Sequence, residues 1–510
     1  MPVSARIYAY RKQLLVFFVL LSAVLLRTVV FTGHPGGLNQ DEASIGYDAW
    51  SLLNYGVDRN GYSMPVHFLA WGSGQNTLYA YFSMPFIWIF GLNVFSVRCV
   101  NLLFGIITVL VIYLLVKKYC GFKTAIIATA LTAIAPWHIM LSRWGLESNL
   151  FPAMLIISIW LMSKAFEKNL LLPVAAFSFG LCMYAYGSAY VVVSLFCLTS
   201  FIYILVKKLI PLRICIISAI IFLLVSLPVY LFVATNLFHW GSLSIGPFSI
   251  PETYVSRMTA ELGFNLKNTF KYIFELLVLQ YDSNNRNSLP VYGCIYLISL
   301  PFFIIGAIKL AKTKGEFRLI IFNLMICSFV LFFFYEIPNI NRLNAIYLPM
   351  IICTAIGLSD ILKNKSTAAA AIISYAMFFS GFCFQYFGME YRNTVAKEFF
   401  VSFDKAILKA QEVSENNGTI YVTQRVNMPY IYVLFYTKTN PETYIKTVSF
   451  QDPNVQFQQV LSFDRYIFNT EPLRERQKGI YIVDNHEYDY MYSLSNEIYT
   501  YENYSVVVVS

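Results

Sequence analysis

Long apolar segments dominate this chain and constrain its fold more than any other feature of the sequence. Of its 510 residues, 57% are hydrophobic and only 13% are charged, which is more apolar surface than a soluble domain buries. Eleven segments have about the length that a bilayer core requires. They are residues 14–32, 98–116, 123–141, 149–166, 170–187, 189–206, 213–233, 290–308, 318–337, 343–361 and 367–387. The sequence therefore predicts an all-α polytopic membrane protein with about eleven spans.

Basic clusters between these segments predict the orientation of the chain in the cell membrane. Lysine and arginine gather at 6–12, 117–123, 164–168, 207–213, 309–318 and 363–365. With eleven spans, all of these clusters fall on one side, which the positive-inside rule identifies as cytoplasmic. This count requires that the apolar stretch 78–97, which contains Pro85, be an interfacial or re-entrant helix. We therefore expect a cytoplasmic N-terminus and an external C-terminal segment.

Neither the net charge nor the cysteines indicate a nucleic-acid partner or a zinc site. The charge of +9 comes from the clusters beside apolar segments, so it does not indicate a nucleic-acid partner. Nine cysteines lie in or beside apolar segments without zinc-type Cys/His spacing, which favours packed membrane thiols. No cofactor is assigned. A divalent metal is compatible with the chemistry discussed below, but no ligand set in the sequence argues for one.

Residues 388–510 differ from the rest because their apolar runs are short and their charges are mixed. Helices are predicted over 395–413, 429–438 and 485–495. Strand-like runs occupy 419–423, 465–468, 479–483 and 504–509. This alternation predicts a small extracytoplasmic α/β domain, 388–510, that follows a membrane domain, 1–387.

The external loop 33–97 contains an acidic pair, Asp41 and Glu42, directly after the first apolar segment. Asn39 and Glu42 have the spacing of a capping box, which predicts the start of a helix, and Gly56 is expected to end that helix. The simplest interpretation is that both acids start an amphipathic surface helix, where the helix dipole favours negative charge. The alternative is a catalytic role in a site outside the membrane.

Other polar residues on the predicted outer side are also candidates. His138 lies in the last turns of a predicted span, where a hydrogen-bonded structural histidine is the commoner case. Arg143 and Glu147 have i,i+4 spacing, which suits either an ion pair or a direct role. Arg286 lies above a span entrance and Arg342 in an external turn. Each guanidinium suits either binding of a lipid phosphate or interfacial anchoring.

Three segments carry a resemblance to a known family. They are Phe-Gly-Leu-Asn-Val-Phe-Ser-Val-Arg at 90–98, the segment from Pro136-Trp137-His138 to Glu147, and Asn-Arg-Leu-Asn-Ala-Ile-Tyr-Leu-Pro at 341–349. With the external Asp-Glu pair, the chain over about 33–387 resembles GT-C-type membrane glycosyltransferases. The nearest branch is the dolichyl-phosphate-mannose–protein mannosyltransferases (family 39) and their bacterial relatives, including the aminoarabinose transferases. Relatives of the latter type carry a Lys-Pro pair where this chain has Gln-Asn-Thr at 75–77.

The resemblance implies a polyprenyl-phosphate sugar donor and an extracytoplasmic hydroxyl acceptor on a protein, a lipid or an envelope glycan. Asp41 would be the general base and Glu42 would orient the acceptor or hold the base. Because the lysine of the relatives is absent, Arg286 or Arg342 would bind the donor phosphate and stabilise the leaving group. The arrangement implies inversion at the anomeric carbon.

Tyr47 and Asp48, which follow on the same predicted helix, are expected to bind substrate or to be structural, as are His138, Arg143 and Glu147.

Three other functions remain open at the level of the sequence. A polytopic transporter or a flippase of lipid-linked glycans would explain the spans, but it predicts broken or charged helices near mid-bilayer and symmetry between halves. The sequence has few such charges and no such symmetry. A polymerase or ligase of lipid-linked glycans would use a similar donor on the same face. A non-catalytic scaffold would leave the polar external loops without a purpose.

Overall fold

The computed structural model describes residues 3–253, 266–414, 418–455, 457–487 and 497–509. The chain divides into two compact units. The first unit comprises Met1–Phe31, Asn101–Tyr230 and Ala260–Gly388, and the second comprises Thr32–Val100, Leu231–Thr259 and Met389–Ser510. Statements below concern the described residues of each unit.

Helices make up most of the first unit and a smaller share of the second. In chain order they are α1 (Val3–Thr28), α2 (Gln40–Tyr55), α3 (Leu78–Phe90), α4 (Val94–Ile134), α5 (Pro136–Leu141), α6 (Glu147–Ala165), α7 (Leu172–Cys182), α8 (Gly187–Val206), α9 (Leu212–Phe238), α10 (Leu266–Ile273), α11 (Leu300–Ala311), α12 (Glu316–Phe329), α13 (Leu331–Phe334), α14 (Tyr347–Ile361), α15 (Lys365–Tyr386), α16 (Met389–Ala396), α17 (Phe403–Val413), α18 (Pro429–Thr437) and α19 (Pro441–Thr447). A π-helical stretch, Phe274–Leu279, continues α10.

Seven helical segments among the described residues are long and apolar enough to cross a bilayer. They are Val94–Ile134, Glu147–Ala165, Gly187–Val206, Leu212–Phe238, Glu316–Phe334, Asn344–Ile361 and Lys365–Tyr386. The first has 41 residues and is interrupted at Gly121, whose φ of 78° is not helical. A continuous helix of that length would measure about 60 Å, twice the bilayer core, so the segment consists of two helices. The first of these helices contains the predicted span 98–116, and the second covers residues 123–134 of the predicted span 123–141, of which residues 136–141 form α5.

The three remaining predicted spans lie outside these seven segments. The first, 14–32, overlaps α1 except for residues 29–32, and those at 170–187 and 290–308 overlap the shorter apolar helices Asn169–Cys182 and Leu297–Ala311. The stretch 78–97, predicted to be interfacial or re-entrant, contains α3, which has 13 residues. At 1.5 Å per residue this helix is about 20 Å long, shorter than a bilayer core.

Two glycines allow α11 and α14 of the first unit to pack with their backbones in contact. A Cβ atom added at Gly306 would lie 1.7 Å from the carbonyl oxygen of Cys353, and one added at Gly357 would lie 2.1 Å from that of Phe302. Small residues at such crossings are the usual means by which membrane helices pack closely, because lipid supplies no hydrophobic driving force between them.

The second unit contains a mixed sheet of seven strands. The strands are β5 (Ile420–Val422), β6 (Ser449–Phe450), β7 (Val460–Phe463), β8 (Tyr466–Ile467), β9 (Gly479–Asp484), β10 (Glu497–Thr500) and β11 (Tyr504–Val509), in the order β10-β11-β9-β5-β8-β7-β6. Strand β5 runs parallel to both of its neighbours, and the other pairs are antiparallel. Two hairpins outside this sheet pair β1 (His67–Phe68) with β2 (Gln75–Asn76) and β3 (Leu243–Ile245) with β4 (Phe248–Ile250).

The four predicted strands of the tail are present as β5, β8, β9 and β11, and the helix predicted at 429–438 is α18. The helix predicted over 395–413 is wrong as a single element, because residues 397–402 separate α16 from α17. Phe400 and Ser402 adopt left-handed φ values of 46° and 72°, and the carbonyl of Phe399 accepts a hydrogen bond from the Leu38 amide at 2.8 Å. Because the Phe399 carbonyl is bound to a residue distant in the chain, it does not accept the hydrogen bond that a continuous helix would require. Most of the helix predicted at 485–495 lies outside the described residues.

The second unit takes in more of the chain than the predicted C-terminal domain. The division after Gly388 lies one residue from the predicted boundary, but residues 32–100 and 231–259 join residues 389–510 in one unit. Residues 33–97, predicted to form an external loop, therefore pack with the tail. Whether residues 388–510 form a domain of their own remains a prediction.

The close packing of α11 on α14 predicts that Gly306→Ala destabilises the protein. The added methyl group meets backbone rather than a flexible side chain, and overpacking of this kind costs about 1–3 kcal/mol or more. The apparent midpoint of heat-induced aggregation in lipid nanodiscs should fall by several degrees. The matched control is Gly187→Ala, where an added Cβ meets nothing within 4 Å. Equal midpoints for the two variants would contradict this account of the crossing.

Candidate active site

The helix α2 begins and ends as its sequence predicts. The side chain of Asn39 accepts a hydrogen bond from the Asp41 amide at 3.1 Å, and the Glu42 carboxylate accepts one from the Asn39 amide at 2.9 Å. The capping box is thus complete. At the other end, Gly56 adopts the left-handed conformation and its amide donates to the carbonyl of Leu52. The acidic pair therefore does start a helix, and the surroundings of the two carboxylates distinguish their roles.

Glu42 is engaged in a buried two-point ion pair with Arg98. Arg98 Nε lies 2.7 Å from Oε1 of Glu42, Nη2 lies 2.9 Å from Oε2, and both side chains are fully buried. The same guanidinium donates to the carbonyls of Pro35 and Gly37 at 2.7 and 2.9 Å. Bidentate pairing of this kind fixes both partners in orientation. Glu42 therefore anchors the start of α2 and, through it, the position of Asp41.

Asp41 is half-buried and points to the loop that follows α2. Its Oδ1 atom accepts hydrogen bonds from the indole of Trp71 at 2.9 Å and from the amide of Gln75 at 3.2 Å. Gln75 lies on β2 of the short hairpin with β1. A carboxylate near a helix N-terminus is also favoured by the dipole. The site thus holds a partly exposed carboxylate in a defined orientation with neutral donors.

A chain of hydrogen bonds connects Gln75 to the interior of the second unit. The hydroxyl of Ser44 donates to Gln75 Oε1 at 2.5 Å and accepts from Arg59 Nη2 at 2.6 Å. Arg59 also lies over the ring of Trp71, 5.5 Å from its centroid. Both donors to Asp41 are therefore held by Arg59. In the sequence, Gln75 was notable only because it departs from the family pattern. In the structure it contacts Asp41 directly.

Arg59 is paired with one buried acid, Asp48, and follows a second, Asp58, in the chain. Asp48 accepts from the Arg59 amide at 3.1 Å, and its other oxygen lies 3.4 Å from Nη2. Asp58 accepts from the amides of Asn60 and Tyr62 through one oxygen, while its buried Oδ2 has no hydrogen-bond partner. Burial, and next the charge of Asp48, raise the pKa of Asp58 to about 7. Asp48 lies on α2, whereas Asp58 and Arg59 lie in the loop after that helix, so the sequence alone does not show that they form a cluster.

Tyr47 and Asp48, expected to bind substrate or to be structural, are both fully buried. The hydroxyl of Tyr47 donates to the carbonyl of Thr439 at 2.6 Å, and burial raises the pKa of this phenol above its ordinary value. It therefore remains a hydrogen-bond donor at all physiological pH values. These contacts are those of structural residues that fix α2 within the second unit.

His138 and Arg143, in the first unit, contact the carboxyl end of α1. Arg143 donates to the carbonyls of Leu26, Val29 and Val30 at 3.0, 2.7 and 2.9 Å. Such carbonyls have no partner within the helix, so arginine caps them. Nδ1 of His138 lies 2.7 Å from Nη2 of Arg27 and acts as the acceptor, because arginine only donates. Arg27, which the sequence analysis did not single out, is fully buried.

Glu147 is buried in the first turn of α6, where the helix dipole favours its charge. The ion pair with Arg143 stays a prediction.

Arg286 and Arg342 lie in two loops of the first unit that Asp282 joins. Asp282 Oδ2 accepts from Nδ2 of Asn287 at 2.9 Å and from the amide of Ile340 at 3.0 Å, so one carboxylate ties the two loops together. Burial raises the pKa of Asp282, and these hydrogen bonds oppose the increase. Both arginines are half-buried.

Each arginine also has a local contact. Arg286 Nε donates to the side chain of Asn284 at 3.0 Å, and Arg342 Nη1 donates to the carbonyl of Ile337 at 2.8 Å. The guanidinium of Arg342 lies 4.8 Å from the ring centroid of Tyr335. Within the described residues there is no cluster of three or more His, Cys, Asp or Glu that could hold a metal ion.

The buried ion pair predicts that Glu42→Gln destabilises the second unit. The substitution leaves the Arg98 charge buried without a counter-charge, and removing one partner of such a pair costs about 3–5 kcal/mol. Hydrogen exchange at the amides of α2 should accelerate strongly. Glu442→Gln, in the exposed pair with Lys446, is the matched control and should leave the exchange unchanged. Similar exchange in both variants would show that the pair does not hold α2.

The raised pKa of Asp58 predicts a particular dependence of stability on pH. The stability contributed by protonated Asp58 is complete below about pH 4 and is lost as the pH rises through about 7, because the folded state binds the proton more tightly. Asp58→Asn should therefore lose less thermal stability than wild type between about pH 5 and pH 8. Asp452→Asn, at an exposed turn, should follow wild type. Identical pH dependence in all three proteins would contradict the buried cluster.

Comparison with known proteins supports the sequence resemblance. Residues 76–237 match the family model of dolichyl-phosphate-mannose-protein mannosyltransferase. The fold is similar to that of ArnT from Cupriavidus metallidurans, in a crystal structure bound to undecaprenyl phosphate, with a TM-score of 0.58 and 12% identity over 98% of this chain and 97% of that chain. It is also similar to the oligosaccharyltransferase of Archaeoglobus fulgidus in its apo form, with a TM-score of 0.51 and 11% identity over 93% of this chain and 70% of that chain. Among curated proteins, none matches the sequence.

These findings agree with the seven apolar helices and identify a multi-pass membrane protein. The expected resemblance is confirmed: the chain resembles the dolichyl-phosphate-mannose–protein mannosyltransferases and has the GT-C-type fold of ArnT.

Proposed function

We propose that this protein is a glycosyltransferase that moves a hexose or pentose from a polyprenyl-phosphate donor to a hydroxyl acceptor at the outer face of the membrane. The observation that carries the proposal is the orientation of Asp41, a half-buried carboxylate held by Trp71 and Gln75 at the start of α2 in a GT-C-type fold. The undecaprenyl phosphate bound to ArnT supports a lipid-linked donor. The acceptor is a protein, a lipid or an envelope glycan.

Asp41 is the general base of the proposed reaction. The acceptor hydroxyl loses its proton to the carboxylate while its oxygen forms a bond to the anomeric carbon of the sugar. The bond between that carbon and the phosphate oxygen breaks at the same time, so the configuration inverts. Glu42 does not take the proton, because both of its oxygens are bound by Arg98. It acts instead by holding the helix that carries the base.

Arg286 and Arg342 bind the donor phosphate in this proposal. The leaving group is a phosphate diester that becomes a dianionic monoester, so positive charge near it stabilises the transition state. The tie that Asp282 makes between their two loops supports a joint role, because it gives both arginines a common support. Arginine suits this task since its guanidinium binds phosphate oxygens at two points.

The topology that this mechanism requires is the one that the basic clusters predict. Eleven spans give a cytoplasmic N-terminus and an external side that contains loop 33–97 and residues 388–510. The packing of residues 32–100 with residues 389–510 in one compact unit supports a location on the same side of the membrane for both, and the basic clusters make that side external in this proposal. The isoprenoid tail of the donor would then lie in the bilayer and its sugar outside.

The proposal predicts that Asp41→Asn abolishes transfer while the protein still folds. Asparagine keeps an acceptor for Trp71 and Gln75 but cannot take a proton, and loss of a general base lowers the rate about 10²–10⁴-fold. The assay supplies a pool of radiolabelled polyprenyl-phosphate sugars and envelope extract to the purified protein. Asp452→Asn, at an exposed turn, is the matched control and should transfer normally.

The outcomes separate the alternatives. Equal transfer by wild type and Asp41→Asn would show that Asp41 has only a structural role at the start of α2. If wild type transfers no sugar but moves lipid-linked glycan between bilayer leaflets, the protein is a flippase.

A further inference from the structure

A polar cavity lies in the C-terminal part of the second unit. Its volume is about 660 Å³, which is in the range of small-ligand sites. Four threonines, an asparagine, a glutamine, a tyrosine and an adjacent Asp-Arg pair line it. These residues come from three separate segments: the last turn of α17 with the residue before β5, the stretch from the end of α18 into α19, and the β7–β8 turn with the first residue of β8.

The walls of the cavity are fixed by hydrogen bonds. The hydroxyls of Thr437 and Thr439 lie 2.6 Å apart, and Asn440 caps α19 by accepting from the Glu442 amide at 2.8 Å. The amide of Gln411 donates to the hydroxyl of Tyr466 at 3.2 Å. A cavity whose polar groups are already oriented loses less entropy on binding than one that must be ordered.

The charge of the cavity selects among classes of ligand. Arg465 donates to the hydroxyl of Ser414 at 2.7 Å, and Asp464 lies beside it in the chain. Among the described residues that line the cavity, Arg465 and Asp464 carry one charge each and of opposite sign, so a free phosphate or another anion gains little. Hydroxyl and amide groups that both donate and accept are suited to a ligand with many hydroxyls. We propose that this cavity binds a neutral oligosaccharide.

The cavity is connected to the helix that carries Asp41. The carbonyl of Thr439 accepts the hydrogen bond from Tyr47 of α2 at 2.6 Å. Helix α18, which leads into this wall, packs against α2 so closely that a Cβ atom added at Gly46 would lie 2.7 Å from the ring of Phe435. The glycan site and the helix that carries the candidate base are therefore packed together within the second unit. We infer that the bound oligosaccharide is the glycan portion of the acceptor, an assignment that rests on the proposed function.

The test measures binding of the full-length protein to an array of neutral and anionic oligosaccharides. The protein is held in phosphatidylcholine nanodiscs, because maltoside detergents carry a sugar of their own. Wild type should retain neutral glycans. Thr443→Trp, which fills the cavity, and Arg465→Gln, which removes a charged donor, should each weaken the binding about tenfold, the effect of losing roughly 1.4 kcal/mol of interaction. Their unfolding midpoints should match wild type.

A control variant and an activity measurement make the result specific. Lys446→Gln changes an exposed residue on α19 outside the cavity and should bind like wild type. Glycan binding by a wild-type protein that transfers no sugar would leave this site standing while the proposed function fails. Absence of binding to every neutral glycan, preference for anionic glycans, or binding unaffected by Thr443→Trp and Arg465→Gln would overturn the proposal.

Discussion

The buried ion pair between Arg98 and Glu42 is the interaction on which the candidate site depends. Removing two charges from water is expensive, and it is tolerated here because every oxygen of Glu42 is bound and the guanidinium also satisfies two carbonyls. The pair joins positions 56 residues apart and fixes the first turn of α2. Successive residues of a helix point about 100° apart, so burial of Glu42 directs Asp41 toward the hairpin of the same loop. Two neighbouring acids thus take different roles.

The orientation of Asp41 rests in turn on Arg59. This residue touches the ring of Trp71 and the hydroxyl of Ser44, and these lead to the two donors of Asp41. Arg59 is itself paired with Asp48, whose charge, after burial, raises the pKa of the neighbouring Asp58 to about 7. The base of the proposed reaction is therefore supported by a buried cluster that contains a titrating acid.

Structural features that depend on residues close together in the chain could be predicted from the sequence. The capping box of Asn39 and Glu42, the stop at Gly56 and four strands of the tail follow from residues close in the chain. Partners distant in sequence escaped prediction: Arg98 for Glu42, and Thr439 for Tyr47 at a separation of 392 residues. The helix over 395–413 failed for the same reason, since the bond from Leu38 to Phe399 has no signature near either residue. Roles suggested by resemblance for Arg286 and Arg342 remain predictions, but the link through Asp282 was visible only in the structure.

The central claim is a single displacement at the anomeric carbon by a hydroxyl that Asp41 deprotonates. The measurement that tests it most directly is the anomeric configuration of the product, read from the one-bond carbon–hydrogen coupling of a ¹³C-labelled sugar. Transfer from a donor of defined configuration should give the opposite configuration in the product. Retention of configuration would require a covalent intermediate or attack from the leaving-group side, and it would contradict the account.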